Sequence, residues 1–329
     1  MSALPLKRIL IIGASGNLGS LILHHLASSP NGFSIIVLSR TSSTAQFPAN
    51  IQIRRVSDDY PVSELNEAFR GVDAVISSIS MAGMHHQYKF IDAAIAAGVR
   101  RYFPTEFGLD DLPDWLIELR PMFRIKHDVR DYLVAKQTAE TTESSNELSK
   151  ESAASSSSAA AAAAALEYTL IVCNVFFEMG VLSGFFGLDW STKTATLIDG
   201  GTAKWVATTL DTVAIAVVRA LERPEQTKNK LLLVQDFRTS QREILDGVEK
   251  RTATKWKVRN VEYGPWLEEA KELVRKGEDL ERALPMLTFA TVVTGSEWEG
   301  KREEFANGLL DLKTKSFDEA LDGALRGVV

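Results

Sequence analysis

Apolar and amphipathic segments alternate over the first hundred residues, in a rhythm typical of alternating strands and helices. Short, nearly continuous apolar runs predict five strands, at Arg8–Ile12, Ser34–Leu38, Ile51–Val56, Ala74–Ser77 and Arg101–Phe103. Apolar residues at helical spacing predict helices between several of them, at Leu18–Ala27, Val62–Phe69 and Gln87–Ala97. Strands that are apolar throughout are typical of a parallel sheet covered by helices on both faces. The pattern therefore predicts an α/β fold with a doubly wound parallel sheet.

The pattern breaks at residues 137–165, which hold Thr, Ser, Glu and Asn followed by an alanine run. A segment with almost no large apolar residue cannot bury enough surface to order itself, so we expect a mobile surface insert without chemistry. Beyond it, Tyr168–Cys173 and Leu231–Val234 predict strands. We therefore expect a first domain over residues 1–175 and a smaller α+β domain over 176–329. Within the second, about 203–235 would return to the sheet of the first.

Composition narrows the classes of partner. The 329 residues carry a net charge of -6, which argues against electrostatic binding of nucleic acid. The single cysteine, Cys173, precludes an internal disulfide and suggests a reducing compartment. No apolar stretch approaches the roughly 20 residues that span a bilayer. We expect a cytoplasmic protein, a monomer or homodimer, that binds neither nucleic acid nor membrane.

Three glycines directly follow the first predicted strand and lead into the first predicted helix. In this GxxGxxG spacing, the first glycine permits a tight turn and the second lets backbone approach a pyrophosphate. The third lets the helix pack closely on the sheet, and the helix N-terminus attracts phosphate. The strand–loop–helix context predicts a Rossmann-type dinucleotide-binding fold. The loop residues predicted to bind the cofactor are Gly13, Ser15, Gly16, Asn17, Leu18 and Gly19.

The end of the second predicted strand indicates which dinucleotide binds. NAD sites place a carboxylate there for the ribose 2′-hydroxyl, whereas this chain has Arg40 followed by Thr41, Ser42 and Ser43. No Asp or Glu precedes Asp58. A 2′-phosphate would bind to Arg40 and the adjacent hydroxyls without a carboxylate to repel it. NADPH is therefore the expected cofactor.

Three candidates for catalysis remain open on the residues alone. Thr105 and Glu106 follow the fifth predicted strand, where α/β folds place ligands, but they serve equally well to fix a loop. Lys126 lies beside an apolar helical stripe, where desolvation would lower the pKa of its amine toward a range useful for proton transfer. Tyr132 and Lys136 form a YxxxK pair, which we rank lower because it abuts the low-complexity insert. The histidines lack partners at metal-ligand spacing, so no metal site is expected.

Taken together, these residues resemble the NmrA-like, isoflavone reductase-like branch of atypical short-chain dehydrogenases, especially its fungal oxidoreductases. The resemblance spans almost the whole chain outside 137–165 and is most specific between Ile91 and Gly108. The other matching stretches are Gly13–Gly19, Arg40, Asp59-Tyr60, Val72–Ser78, Gln87, Lys126, Phe176-Phe177, Thr208–Leu210 and Thr239–Ile244.

The resemblance implies an NADPH-dependent reductase of secondary metabolism, acting on an aromatic or planar small molecule bound by the C-terminal domain. It implies that Lys126 is the general acid/base and that Asp59, Ser77, Ser78 and Lys126 join the cofactor-binding residues. It weakens the case for Tyr132 and Lys136. The aromatic residues Phe176, Phe177, Phe185 and Phe186 are candidates for the walls of the substrate pocket. The branch also contains NADP(H)-sensing regulators without catalysis, which tend to lack the lysine, so its presence favours an enzyme.

Overall fold

The computed structural model describes residues 5–110, 112–137 and 165–326. Within these, the strands β1 to β13 are Arg8–Ile12, Ser34–Arg40, Gln52–Val56, Ala74–Ser77, Arg101–Phe103, Glu167–Val172, Val175–Phe176, Leu188–Asp189, Thr194–Ile198, Trp205–Thr208, Lys230–Leu233, Phe237–Thr239 and Lys257–Val261. The helices α1 to α4 are Asn17–Ser28, Val62–Phe69, Gln87–Ala96 and Asp114–Leu119, and α5 covers residues 125–137. The helices α6 to α12 are Phe177–Leu182, Leu210–Glu222, Pro224–Thr227, Gln241–Thr252, Tyr263–Lys276, Leu280–Val293 and Phe317–Ala324.

The chain divides into two compact units. Unit 1 comprises Met1–Glu106, Arg124–Ile171 and Val217–Leu232, and unit 2 comprises Phe107–Phe123, Val172–Ala216 and Leu233–Val329. This division differs from the sequence expectation, because 107–123, 172–175, 203–216 and 233–235 belong to unit 2. The expected insert at 137–165 lies, apart from its two end residues, outside the described residues.

A seven-stranded sheet forms the centre of the α/β fold, with the strand order β11-β6-β5-β4-β1-β2-β3. The pairs from β3 to β6 are parallel, as predicted. Because the chain passes from β1 outward to β2 and β3 and then returns to β4 on the other side of β1, the strand order reverses between β1 and β4. Ligands of such sheets bind beyond the carboxyl ends of the strands at this reversal. The predicted doubly wound fold is confirmed.

The core of unit 1 is formed by apolar residues of the predicted strands and helices. Residues Ile9 to Ile12 of β1 are at most 2% exposed, as expected for a central strand covered on both faces. Leu65 and Phe69 of α2 and Phe90 of α3 pack into the same buried cluster. Burial of these side chains holds the ends of β1, β2 and β4 in place.

Unit 2 contains two small sheets, β12-β10-β7 and β13-β9-β8. Its core is unusually aromatic: Phe186, Trp205 and Phe289 contact one another at centroid distances of 5.4–5.9 Å. Among the described residues, none of the helices combines the length and apolar character needed to traverse a bilayer.

Candidate functional site

The turn after β1 requires glycine at two positions for reasons within the chain. Gly13 has φ +82°, and a Cβ there would lie 2.1 Å from the carbonyl oxygen of Ser78. A Cβ on Gly19 would lie 2.1 Å from the carbonyl oxygen of Gly13. The first glycine thus permits the turn, and the third permits close packing of α1, as the spacing predicts.

Gly16 differs from these two. Its φ and ψ, -76° and 170°, suit any residue, and the nearest atom to a Cβ would be the Gly13 carbonyl oxygen at 3.3 Å. Gly16 is the N-cap of α1, where no side chain caps the helix and no acidic residue occupies the first turn. Backbone N–H groups and the helix dipole therefore present positive potential to an anion, and the missing side chain leaves space for it.

A cavity of about 390 Å³ lies beside this turn, entirely within unit 1. We call it the loop cavity. Of the residues predicted from sequence to bind the cofactor, it is lined by Gly13, Ser15, Gly16, Arg40 and Ser78. The lining also includes Phe47, Tyr60, Ile79, His86 and Phe90, none of which was predicted from sequence to bind the cofactor.

The remaining predicted cofactor residues lie elsewhere. Leu18 and Ser77 are buried, and Asn17 and Asp59 are exposed without lining the loop cavity. The carbonyl oxygen of Asp59 accepts a hydrogen bond from Lys89 Nζ at 2.6 Å. After β3, it is therefore the next residue, Tyr60, that lines the loop cavity, and not Asp59.

Arg40 ends β2 at the rim of the loop cavity, and its side chain makes no ion pair among the described residues. The hydroxyls expected to assist it are partly engaged. Asp58 accepts hydrogen bonds from the Thr41 hydroxyl at 3.2 Å and from the Ser42 hydroxyl and backbone N–H. The hydrogen bonds from Ser42 are the main reason why the pKa of Asp58 is lowered. The expectation of a corner without carboxylates is corrected here, and Ser43 is the hydroxyl that lines the loop cavity with Arg40.

An aromatic wall forms the opposite part of the loop cavity. The Tyr60 ring makes edge contacts with His86 and Phe90, each at 4.9 Å between centroids. Burial, followed by the charges of His85, Lys89 and Arg40, lowers the pKa of His86, which favours its neutral form. Flat, largely uncharged surfaces of this kind suit a planar heterocycle. The sequence signal was weak, because Tyr60 follows β3 whereas His86 ends the 3-10 helix Met81–His86 before α3.

Thr105 connects the ends of neighbouring strands. Its backbone N–H donates to Gln87 Oε1 at 2.7 Å, and its hydroxyl donates to the Ser77 carbonyl oxygen at 3.0 Å. The same hydroxyl accepts from the Ile79 N–H at 3.3 Å. These hydrogen bonds tie together the segments after β4 and β5, which supports the structural one of the two roles left open for Thr105.

Glu106 and Lys126 meet at the end of β5. The Glu106 carboxylate, 1% exposed, forms a two-pronged ion pair with Arg130 of α5. Lys126 Nζ donates to the Glu106 carbonyl oxygen. Because its carboxylate is committed to Arg130, Glu106 positions the loop, whereas Lys126 offers a half-buried amine at the carboxyl edge of the sheet.

The YxxxK pair lies against α3. The Tyr132 hydroxyl donates to Asp92 Oδ1 at 2.7 Å, and Lys136 Nζ lies 2.8 Å from the same oxygen. Burial, together with the Asp92 carboxylate, raises the pKa of Tyr132, which opposes the tyrosinate form. Neither residue lines the loop cavity.

The four candidate wall residues of unit 2 have different environments. Phe177 and Phe186 are core residues at 0% and 1% exposure, which corrects the expectation that they line a pocket. Phe176 is half-buried. Phe185, also half-buried, lines a cavity of about 610 Å³ within unit 2.

Comparisons with known proteins agree with this architecture. A model of the NmrA-like family matches residues 5–145. The oxidoreductase aprR of Aspergillus flavus is 33% identical over 326 residues, which are 97% of this chain and 99% of that protein. Among solved structures, an isoflavone reductase matches with a TM-score of 0.69 and 22% identity over 96% of this chain and 99% of its own. AtPrR2 with NADP+ and (+)pinoresinol matches with a TM-score of 0.72 and 21% identity over 97% of this chain and 98% of its own. At these identities the two structural matches establish a shared fold.

Proposed function

The chain belongs to the NmrA-like family, and on that premise we propose that it is an NADPH-dependent reductase of the isoflavone reductase-like type. Its substrate would be an aromatic or otherwise planar small molecule of secondary metabolism, bound by unit 2. The observation on which the proposal rests is the position of Lys126 at the same carboxyl edge of the sheet as the glycine turn.

The residues of the loop cavity fit NADPH. The backbone around Gly16 and the N-terminus of α1 would hold the pyrophosphate, because this turn has space and unshielded N–H dipoles. Arg40, which has no ion pair among the described residues, and Ser43 would bind the 2′-phosphate. The rings of Tyr60 and His86 would pack against the adenine. The solved structure of AtPrR2, which has a similar fold and contains NADP+, supports the assignment.

When bound, NADPH supplies the hydride. This chain supplies the proton, and Lys126 Nζ is the group that would exchange it with a substrate oxygen. The hydrogen bond to the Glu106 carbonyl oxygen orients the amine, which carries three N–H donors when protonated. Glu106 is in turn held by Arg130, so the lysine is oriented by a buried ion pair.

The experiment replaces Lys126 with Ala and measures both turnover and NADPH binding. We expect kcat to fall at least about 100-fold, since general acid/base groups contribute on the order of 10²–10⁴. The Kd for NADPH, measured by nucleotide fluorescence, should change far less than kcat, because Lys126 does not line the loop cavity. Lys136→Ala is the matched control, because Lys136 lies on the same helix but is paired with Asp92. Equal rates for the Lys126 variant and the natural protein would remove the catalytic assignment.

A screen of aromatic carbonyls and enones for NADPH oxidation tests the reductase activity itself. Turnover of any compound in the screen supports the enzyme. Absence of turnover, together with different affinities for NADPH and NADP+, would replace it by an NADP(H)-sensing regulator.

A further inference from the structure

A second cavity, of about 610 Å³, lies wholly within unit 2, and none of the residues assigned above to the cofactor or to proton transfer lines it. We call it the aromatic cavity. The segment between α6 and β8, the sheet strands β9 and β13, and the helices α10 and α11 all contribute to its lining. Its volume falls within the range of about 300–1,000 Å³ that is usual for small-molecule sites.

Aromatic side chains contribute flat apolar surface to the walls of the aromatic cavity. Phe185, Trp190, Trp266 and Phe289 all line it. Phe185 and Phe289 make an edge contact at 5.3 Å between centroids. The indole N–H of Trp190 donates to the Val181 carbonyl oxygen at 2.8 Å, so the hydrogen-bonding group of that ring is already used. These surfaces suit a flat, apolar ring system.

Arg259 is a positively charged residue in the lining of the aromatic cavity. In the parallel pair of β13 and β9 it lies opposite Thr196, and its Nε and Nη2 donate to the Thr196 hydroxyl at 3.3 and 3.2 Å. The flanking residues of β9, Ala195 and Leu197, point to the opposite face and are buried in the core. The guanidinium is thus fixed on the cavity face of the sheet.

Arg259 has no ion pair among the residues that the structure describes, and the other charged groups lining the aromatic cavity have identifiable roles. Arg282 is paired with Glu269 and Asp279. The Asp189 carboxylate accepts hydrogen bonds from Ser191 and Thr192. Glu281 occupies the first turn of α11, where a carboxylate stabilises the positive end of the helix.

From a guanidinium without a carboxylate partner beside aromatic walls, we infer that the aromatic cavity binds a planar aromatic carboxylate. The ring system packs against Trp266 and Phe289, and the carboxylate accepts hydrogen bonds from Arg259. Guanidinium and carboxylate match in geometry and charge. The inference does not depend on the proposed reductase activity, because it concerns equilibrium binding and not turnover.

Calorimetric titration of the full chain with 2-naphthoate and 2-naphthamide tests the inference. The two probes share a shape and differ in charge. We expect saturable binding of the carboxylate that is at least about tenfold tighter than that of the amide, the scale of a charged hydrogen bond. Arg259→Gln should remove this preference by weakening 2-naphthoate at least about tenfold while leaving the amide unchanged.

One variant serves as the control. Lys257→Gln removes a positive charge two residues earlier on β13, from a side chain that does not line the aromatic cavity. It should bind 2-naphthoate within about twofold of the natural protein, as expected for a charge outside the site. Equal affinity for both probes, no saturable binding of either, or equal losses in Arg259→Gln and Lys257→Gln would overturn the inference, provided that thermal unfolding shows each variant to be folded.

Discussion

Arg130 donates to both carboxylate oxygens of Glu106, from Nε to Oε1 at 2.7 Å and from Nη2 to Oε2 at 2.9 Å. Since the side chains are 15% and 1% exposed, the pair lies largely out of water. The main-chain carbonyl of the same glutamate accepts from Lys126. Glu106 therefore links the end of β5 to α5 through both its side chain and its backbone, and it sets the position of the lysine.

Replacement of Arg130 by Met should lower the free energy of unfolding by about 3 kcal/mol, because it leaves a buried carboxylate without its partner. Urea unfolding followed by circular dichroism measures the change. The control is Arg124→Met, which breaks an exposed pair with Asp128 directly before the helix and should cost less than about 1 kcal/mol. Similar losses of unfolding free energy in the two variants would show that the Glu106–Arg130 pair stabilises the fold no more than an exposed pair does.

Gly13 and Gly16 should respond differently to alanine. Gly13→Ala places a Cβ 2.1 Å from the Ser78 carbonyl oxygen at a positive φ, so we expect a loss of stability of about 2 kcal/mol or more. Gly16→Ala meets no atom closer than 3.3 Å and should change stability by less than about 1 kcal/mol. Its Kd for NADPH should nevertheless rise at least about tenfold, since the methyl group fills the space for the pyrophosphate.

Thermal unfolding and NADPH titration separate these effects. Unchanged NADPH affinity in a folded Gly16→Ala protein would mean that the cofactor does not approach this backbone.

Arg40→Ala should weaken NADPH far more than NADH. Loss of a charged hydrogen bond to the 2′-phosphate corresponds to an increase in Kd of about 10- to 100-fold, whereas NADH lacks that phosphate. Fluorescence titration with both nucleotides measures the ratio. Arg70→Ala is the control, because Arg70 is paired with Glu67 and does not line the loop cavity. Equal losses for the two nucleotides in Arg40→Ala would contradict the phosphate role.

Glu178 makes stability depend on pH. Burial raises its pKa above the ordinary value of 4.5, against the opposing effect of hydrogen bonds that include one from the Leu210 N–H. The folded state consequently binds more protons than the unfolded state from about pH 4.5 up to the raised pKa, and stability falls as pH rises through that window.

Glu178→Gln should remove this part of the pH dependence and leave the protein at least as stable as the natural one at pH 7. Urea unfolding between pH 4 and 8 provides the comparison. A natural protein whose stability rises through the same window, with no change in slope on substitution, would refute the assignment to Glu178.

Much of unit 1 could be predicted because its signals are local. The strands β1, β4 and β5 occur at the predicted bounds, and β3 begins one residue later, at Gln52. The turn geometry at Gly13 and Gly19 follows the glycine spacing, because the lack of a side chain is itself the required property.

The corner around Arg40 shows why other parts could not be predicted. The parallel register places Arg40 opposite Val56, so Asp58, two residues further on, reaches the hydroxyls of Thr41 and Ser42. Nothing in the local sequence around Thr41 indicates this carboxylate. The same holds for Tyr60 and His86, which meet only because two separate segments converge at the carboxyl edge of the sheet.

The sequence by itself therefore determined the α/β fold and the nature of the turn after β1, since periodicity and glycine placement are properties of neighbouring residues. The tertiary structure decided which charges meet. It engaged Glu106 with Arg130 and Tyr132 with Asp92, and it left Arg259 beside aromatic rings without a described ion pair. Those outcomes depend on strand register and helix packing, which bring together groups that are far apart in the chain.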